Sequence, residues 1–207
     1  MCRQGVSVIL LAGVAFVAVP SGQRLTIPEA VRRMAPGPYV TSRIRELSPL
    51  PFGDMVHRSD MIVQGTLKNP RVYLSADQTA LYTDYDLLPI RVIADRGTNS
   101  GSRVPGPPRP IVVRQWGGET TIEGVKVKIY DENLAPLPID TQLLLFLVYD
   151  RDAGEYDLFD GIVGAFSLSG SDNRLRHLLT PSMGPSYHHL HGTPLADVIQ
   201  EIHSMNR

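Results

Sequence analysis

Hydrophobic and polar positions fall into short stretches separated by glycine, proline and asparagine, and most of those stretches predict strands. Val125-Lys126-Val127-Lys128-Ile129-Tyr130 alternates most cleanly, aliphatic on one side and lysine on the other. Gln142 to Tyr149 is almost continuously apolar, which predicts a strand covered on both faces. Asp60–Leu67, Ile111–Trp116, Glu155–Phe159 and Gly161–Leu168 read as further strands. From Ala80 to Asp95 runs a long one in which Tyr82, Asp84, Asp86, Leu88, Ile90 and Val92 share a face. Pro89 cannot donate to a ladder, so an edge or a bulge is expected there, and Gly65 marks another bend. Asn69-Pro70 predicts a turn, and Gly97 to Pro110 a long Gly/Ser/Pro loop.

Helical periodicity appears in three places. Ile27 to Met34 predicts a short helix with proline in its first turn. Asp54 to Ser59 predicts a helix or turn. Near the C-terminus Leu195, Val198, Ile199 and Ile202 recur on one helical face, with Thr193 and Pro194 at the start. The expected fold class is mainly β: a small OB-like closed β-barrel of five to six strands, with a C-terminal helix over 194–205 and an extended N-terminal arm. The expected organisation is a signal peptide over 1–22, an arm or linker over 23–53 and a single barrel domain over 54–207.

The N-terminus changes the picture of where such a domain works. Val6 to Val19 is an apolar run with Arg3 before it and Pro20-Ser21-Gly22 after it, the pattern of a secretory signal peptide. The single cysteine, Cys2, lies inside that piece, so the processed chain is expected to be disulfide-free and secreted or periplasmic. No cysteine ends the apolar run, which argues against a lipoprotein. No other window has the roughly 20 apolar residues of a membrane helix, so no stable span is expected after cleavage. A formal net charge of -1 over 207 residues supplies no field to gather nucleic acid.

These segments in order carry a resemblance. Ser59-Asp60-Met61-Ile62-Val63-Gln64-Gly65-Thr66-Leu67 is followed by Tyr82-Thr83-Asp84-Tyr85 running into Ile90-Arg91-Val92-Ile93. Then come Gln115-Trp116-Gly117-Gly118-Glu119, Leu143-Leu144-Leu145-Phe146-Leu147 and Gly161-Ile162-Val163-Gly164-Ala165-Phe166. Over about residues 54 to 170 the chain resembles exported bacterial proteins of unknown function with an OB-like barrel, similar to tissue inhibitors of metalloproteinases and netrin modules. The resemblance implies a barrel. Those inhibitors reach a catalytic zinc through an N-terminal cysteine held by disulfides, and the processed chain here has neither, so their mechanism carries over to no residue.

Candidate chemistry is sparse. His188, His189 and His191 are the densest group of metal-ligating residues, of the type that suits zinc, nickel or copper, and without a carboxylate at useful spacing they read first as loop histidines. Asp150, Asp152, Glu155 and Asp157 suggest a calcium loop, yet Gly154 stands where its third ligand belongs, so a polar hairpin turn is expected. Asp84 and Asp86 are expected to face solvent on a strand, and Trp116 to lie in or over a core. No catalytic set, Walker loop, dinucleotide fingerprint or nucleophile elbow is present, and no cofactor is expected. The expected function is that of an exported, non-enzymatic barrel binding a protein or small ligand in the envelope. The alternatives are a metal-binding protein or metal-dependent enzyme on the three histidines, and a structural envelope component.

Overall fold

The computed structural model of the chain describes residues 25–34, 37–43, 50–96, 111–131, 136–159, 161–178 and 189–205. The expected signal peptide, the loop over 97–110 and His188 lie outside the described residues. The protein is mainly β, with α1 (Ile27–Arg33), β1 (Tyr39–Arg43), α2 (Phe52–Arg58), β2 (Met61–Leu74), β3 (Leu81–Asp95), β4 (Ile111–Trp116) and β5 (Gly118–Ile122). There follow β6 (Val125–Asp131), β7 (Gln142–Asp150), β8 (Glu155–Leu158), a 3-10 turn (Gly161–Gly164), β9 (Ala165–Ser169), β10 (Arg174–His177) and α3 (Leu195–Met205). Among the described residues no helix is long and apolar enough to cross a membrane.

The chain forms two compact units, and β2 and β3 contribute residues to both. The smaller takes in the described residues of 25–43, 71–83 and 116–131. Its three-stranded sheet has the order β1-β6-β5, with β1 parallel to β6 and Tyr39 opposite Val127. Thr26 caps α1 through a capping box: its hydroxyl accepts from the Glu29 amide at 3.4 Å and its own amide donates to the Glu29 carboxylate at 3.0 Å. The face of α1 carrying Ile27 and Val31 then packs with Leu81, Val127, Ile129 and Trp116. Gly117 turns the chain into β5 at a φ of 99°, and any Cβ there would stand 2.8 Å from the Ile129 carbonyl oxygen. The short helix expected from Ile27 is present over 27–33, and the arm also supplies a strand that the sequence did not predict, 39–43, which pairs with β6; both find apolar partners distant in sequence.

The larger unit takes in the described residues of 50–70, 84–96, 111–115, 136–178 and 189–205. The seven-stranded sheet has the order β10-β9-β7-β2-β3-β4-β8, and β8 pairs in turn with β7. The strand β7 explains why its sequence is apolar throughout. Leu144 and Phe146 face one core, with Phe52, Met55, Val56, Val198 and Ile202 from the two helices. Leu143, Leu145 and Leu147 face the other, with Val63, Tyr85, Leu87, Val113 and Tyr156. A strand between two cores has no wet face, and all five residues from Leu143 to Leu147 are fully buried. Phe146 sits between Phe52 and Phe166, edge to face with both at 5.9 Å.

The expected turn at Asn69-Pro70 is absent. The strand β2 continues through it, with Asn69 at a φ of 49°, a left-handed conformation that asparagine tolerates better than most residues.

Candidate functional site

The strand β3 passes from a covered to an open environment within the larger unit, and that passage defines the site. Tyr85 and Leu87 point into the core with Val113 of β4 and Tyr156 and Leu158 of β8. Alternation therefore puts Asp84, Arg114 and Glu155 on the opposite face of three neighbouring strands. There Arg114 Nε donates to Asp84 Oδ1 at 3.1 Å, and the same guanidinium pairs with Glu155. Arg114 also stands in register with Asp157, through the parallel contact of β4 with β8.

All three side chains of this cluster are largely buried, and Asp84 retains 8% of its exposure. The expectation that Asp84 faces solvent is corrected here: Arg114 covers it, and a planar guanidinium supplies donors to two carboxylates at once. Glu155 is the uneasy member. Apart from its ion pair with Arg114, its buried Oε2 accepts no hydrogen bond among the described residues. Burial pushes the Glu155 carboxyl above its usual range, and the charge of Asp84 adds to the rise. Arg114 opposes it, while Asp157 and Asp150 push the same way as Asp84.

Farther along the same face the chemistry changes. The Asp86 carboxylate accepts from the Asn69 side-chain Nδ2 at 2.8 Å. Beyond it Leu88, Ile90 and Val92 are 51%, 56% and 48% exposed, three aliphatic side chains in a row on one strand. Large apolar side chains grouped on a surface mark contact sites more often than scattered ones do. The face thus runs from a buried ion cluster, through a polar step, to an open aliphatic stripe. It can hold an apolar or extended ligand along β3.

The other sequence candidates go elsewhere. The ring of His189 lies edge to face on Phe52 at 5.8 Å, while that of His191 lies parallel to His177 at 6.1 Å. Among the described residues no three His, Cys, Asp or Glu side chains are grouped to hold a metal. The acidic run at 150–157 is a hairpin turn, in which Asp150 Oδ1 accepts from the amides of Asp152 at 2.9 Å and Ala153 at 3.2 Å. Gly154 closes it at a φ of 73°. Trp116 packs in the core of the smaller unit. Arg114 is the residue that sequence reasoning passed over; its only signal was a lone cation in the apolar strand Ile111–Trp116.

No protein-family model matches the chain, and no curated protein matches it.

Proposed function

We propose that the chain is an exported, non-enzymatic binding protein whose larger unit is an OB-like barrel. The strand pairings support this reading: β2, β3, β4, β8 and β7 follow one another and return to β2, with β4 and β8 parallel. Five-stranded OB barrels, partly open, bind their ligands across their second and third strands. In this reading those strands are β3 and β4.

The observation that carries the proposal is the exposed stripe of Leu88, Ile90 and Val92 on that face. Its occupant is a protein or small ligand of the bacterial envelope with an apolar surface. The signal-like N-terminus is the support for export. Site-specific photo-crosslinking in cells tests the proposal. A crosslinking residue at position 90 is expected to capture a discrete adduct from the envelope fraction, and one at Arg151, on an exposed turn, to capture none. Equal capture at both positions, or none at either, would overturn it.

A further inference from the structure

We infer that the groove between β3 and α3 binds a small organic carboxylate with a short aliphatic tail. The inference does not depend on the stripe of Leu88, Ile90 and Val92, because the groove opens on the other side of the strand. Alternation turns Arg91 away from Ile90 and Val92. Two positions on, Ile93 packs against the core beneath α2 and α3. Across from Arg91 the helix presents Ala196, Ile199, Gln200 and His203. These recur at i, i+3, i+4 and i+7, so they form one stripe of the helix surface. With Ser204 they and Arg91 line an open groove of about 500 Å³. Strand and helix both belong to the larger unit here.

The chemistry of the lining selects the ligand. Arg32, Arg96, Arg114 and Arg174 are each bonded to a carboxylate or a backbone carbonyl. Arg91 is exposed and, among the described residues, has neither an ion pair nor a hydrogen bond. No carboxylate stands among the described residues that line the groove, so the Arg91 guanidinium keeps its donors for an anion from outside. A planar guanidinium meets a carboxylate with two parallel N–H···O bonds. On the facing wall Gln200 and His203 add further donors. Ile199, only 6% exposed, and Ala196 supply the apolar part of the lining, where an aliphatic tail leaves water. The volume lies within the roughly 300–1,000 Å³ usual for small-molecule sites. Neither the charge nor the apolar floor is enough alone, and the ligand class follows from having both in one groove.

The test is calorimetric titration of octanoate into the purified protein. One octanoate is expected to bind per chain, with a Kd below about 1 mM. Octanol has the tail without the charge, and acetate the charge without the tail; each is expected to bind about tenfold more weakly or worse. Arg91→Gln is expected to weaken octanoate binding by about tenfold or more. Ala196→Phe, which fills the groove, is expected to abolish it. Ile90→Ser, on the other face of β3, and Arg151→Gln, on an exposed turn, are expected to leave it unchanged. Arg91 and Ala196 are exposed, so both variants are expected to keep the fold, which thermal melts check. No binding of octanoate, equal binding of octanol, or unchanged affinity in Arg91→Gln would overturn the inference, as would an equal loss in Ile90→Ser.

Discussion

Within one strand of the larger unit an aspartate is buried and an isoleucine is exposed. Asp84 keeps 8% of its exposure and Ile90 keeps 56%, although both lie on the same alternating face only six positions apart. The usual rule is reversed along that face. At its start Arg114 supplies the donors that make burial of a carboxylate tolerable. At its end nothing among the described apolar clusters gathers Leu88, Ile90 or Val92. Burial here follows the neighbours a side chain finds, and hydropathy alone does not decide it. The strand keeps an ion cluster covered and an aliphatic stripe open, and on the proposed reading the open end is where a partner docks.

The comparison breaks most severely at Arg114. Removing it in Arg114→Ala leaves two buried carboxylates facing each other without a cation. Losing one partner of a buried ion pair costs about 3–5 kcal/mol, and urea unfolding of the variant is expected to show a loss of that size. Replacing all three residues together (Asp84→Leu, Arg114→Met, Glu155→Leu) is expected to restore most of the stability, since the charges vanish together. A small loss in the single variant would mean that the cluster does not hold the covered half of β3.

Gly65 sits at the border between the two halves. A Cβ there would stand 2.6 Å from Leu87 Cδ1 and 2.8 Å from the Leu88 carbonyl oxygen. One of those contacts is backbone, so the strand itself must shift to admit a methyl group. Gly65→Ala is expected to destabilise by about 1–3 kcal/mol, the usual range for overpacking, measured as a lowered midpoint in thermal melts. An unchanged midpoint would show that β2 and β3 are not in close approach at the border.

Glu155 gives a smaller and pH-dependent effect. Its folded pKa is raised above the usual 4.5, chiefly by burial and by Asp84. A raised carboxyl binds its proton better folded than unfolded. Its contribution to stability is therefore complete below the unfolded value and is lost as pH rises through the folded one. Glu155→Gln is expected to flatten this fall, and at neutral pH the variant is expected to be no less stable than the parent. Denaturant midpoints measured from pH 4 to pH 8 check it; parallel curves for the two proteins would contradict the raised carboxyl.

Which parts of this arrangement the sequence disclosed depends on the range of the contacts. The run over Leu143–Leu147, the alternation over Val125–Tyr130 and the stripe of Leu195, Val198, Ile199 and Ile202 were legible, because local period and burial coincide there. The strands β1, β5 and β10 were not, being four or five residues long. A short strand is defined by its partner, and β1 finds β6 far along the chain. At the site, the shared face of β3 was visible from its period of two. The burial of Asp84 was not, because Arg114 stands 30 residues away and reaches it only through the pairing of strands. The neighbourhood of His177 and His191 was hidden for the same reason.

The smallest effect on stability is expected where the effect on function is largest. Leu88 and Ile90 are about half exposed and belong to neither apolar core of the larger unit. Leu88→Ser with Ile90→Ser therefore removes little buried area, and surface changes of this kind usually stay within about 0.5 kcal/mol. If the stripe is a contact surface, the same pair of substitutions removes the apolar area that a partner would cover. The double variant is then expected to melt within about a degree or two of the parent, as so small a free-energy change implies. Crosslinking from a probe at position 92 would fall sharply in the same variant. A large drop in melting temperature would place the stripe in a core instead, because only buried side chains carry that much of the folding free energy.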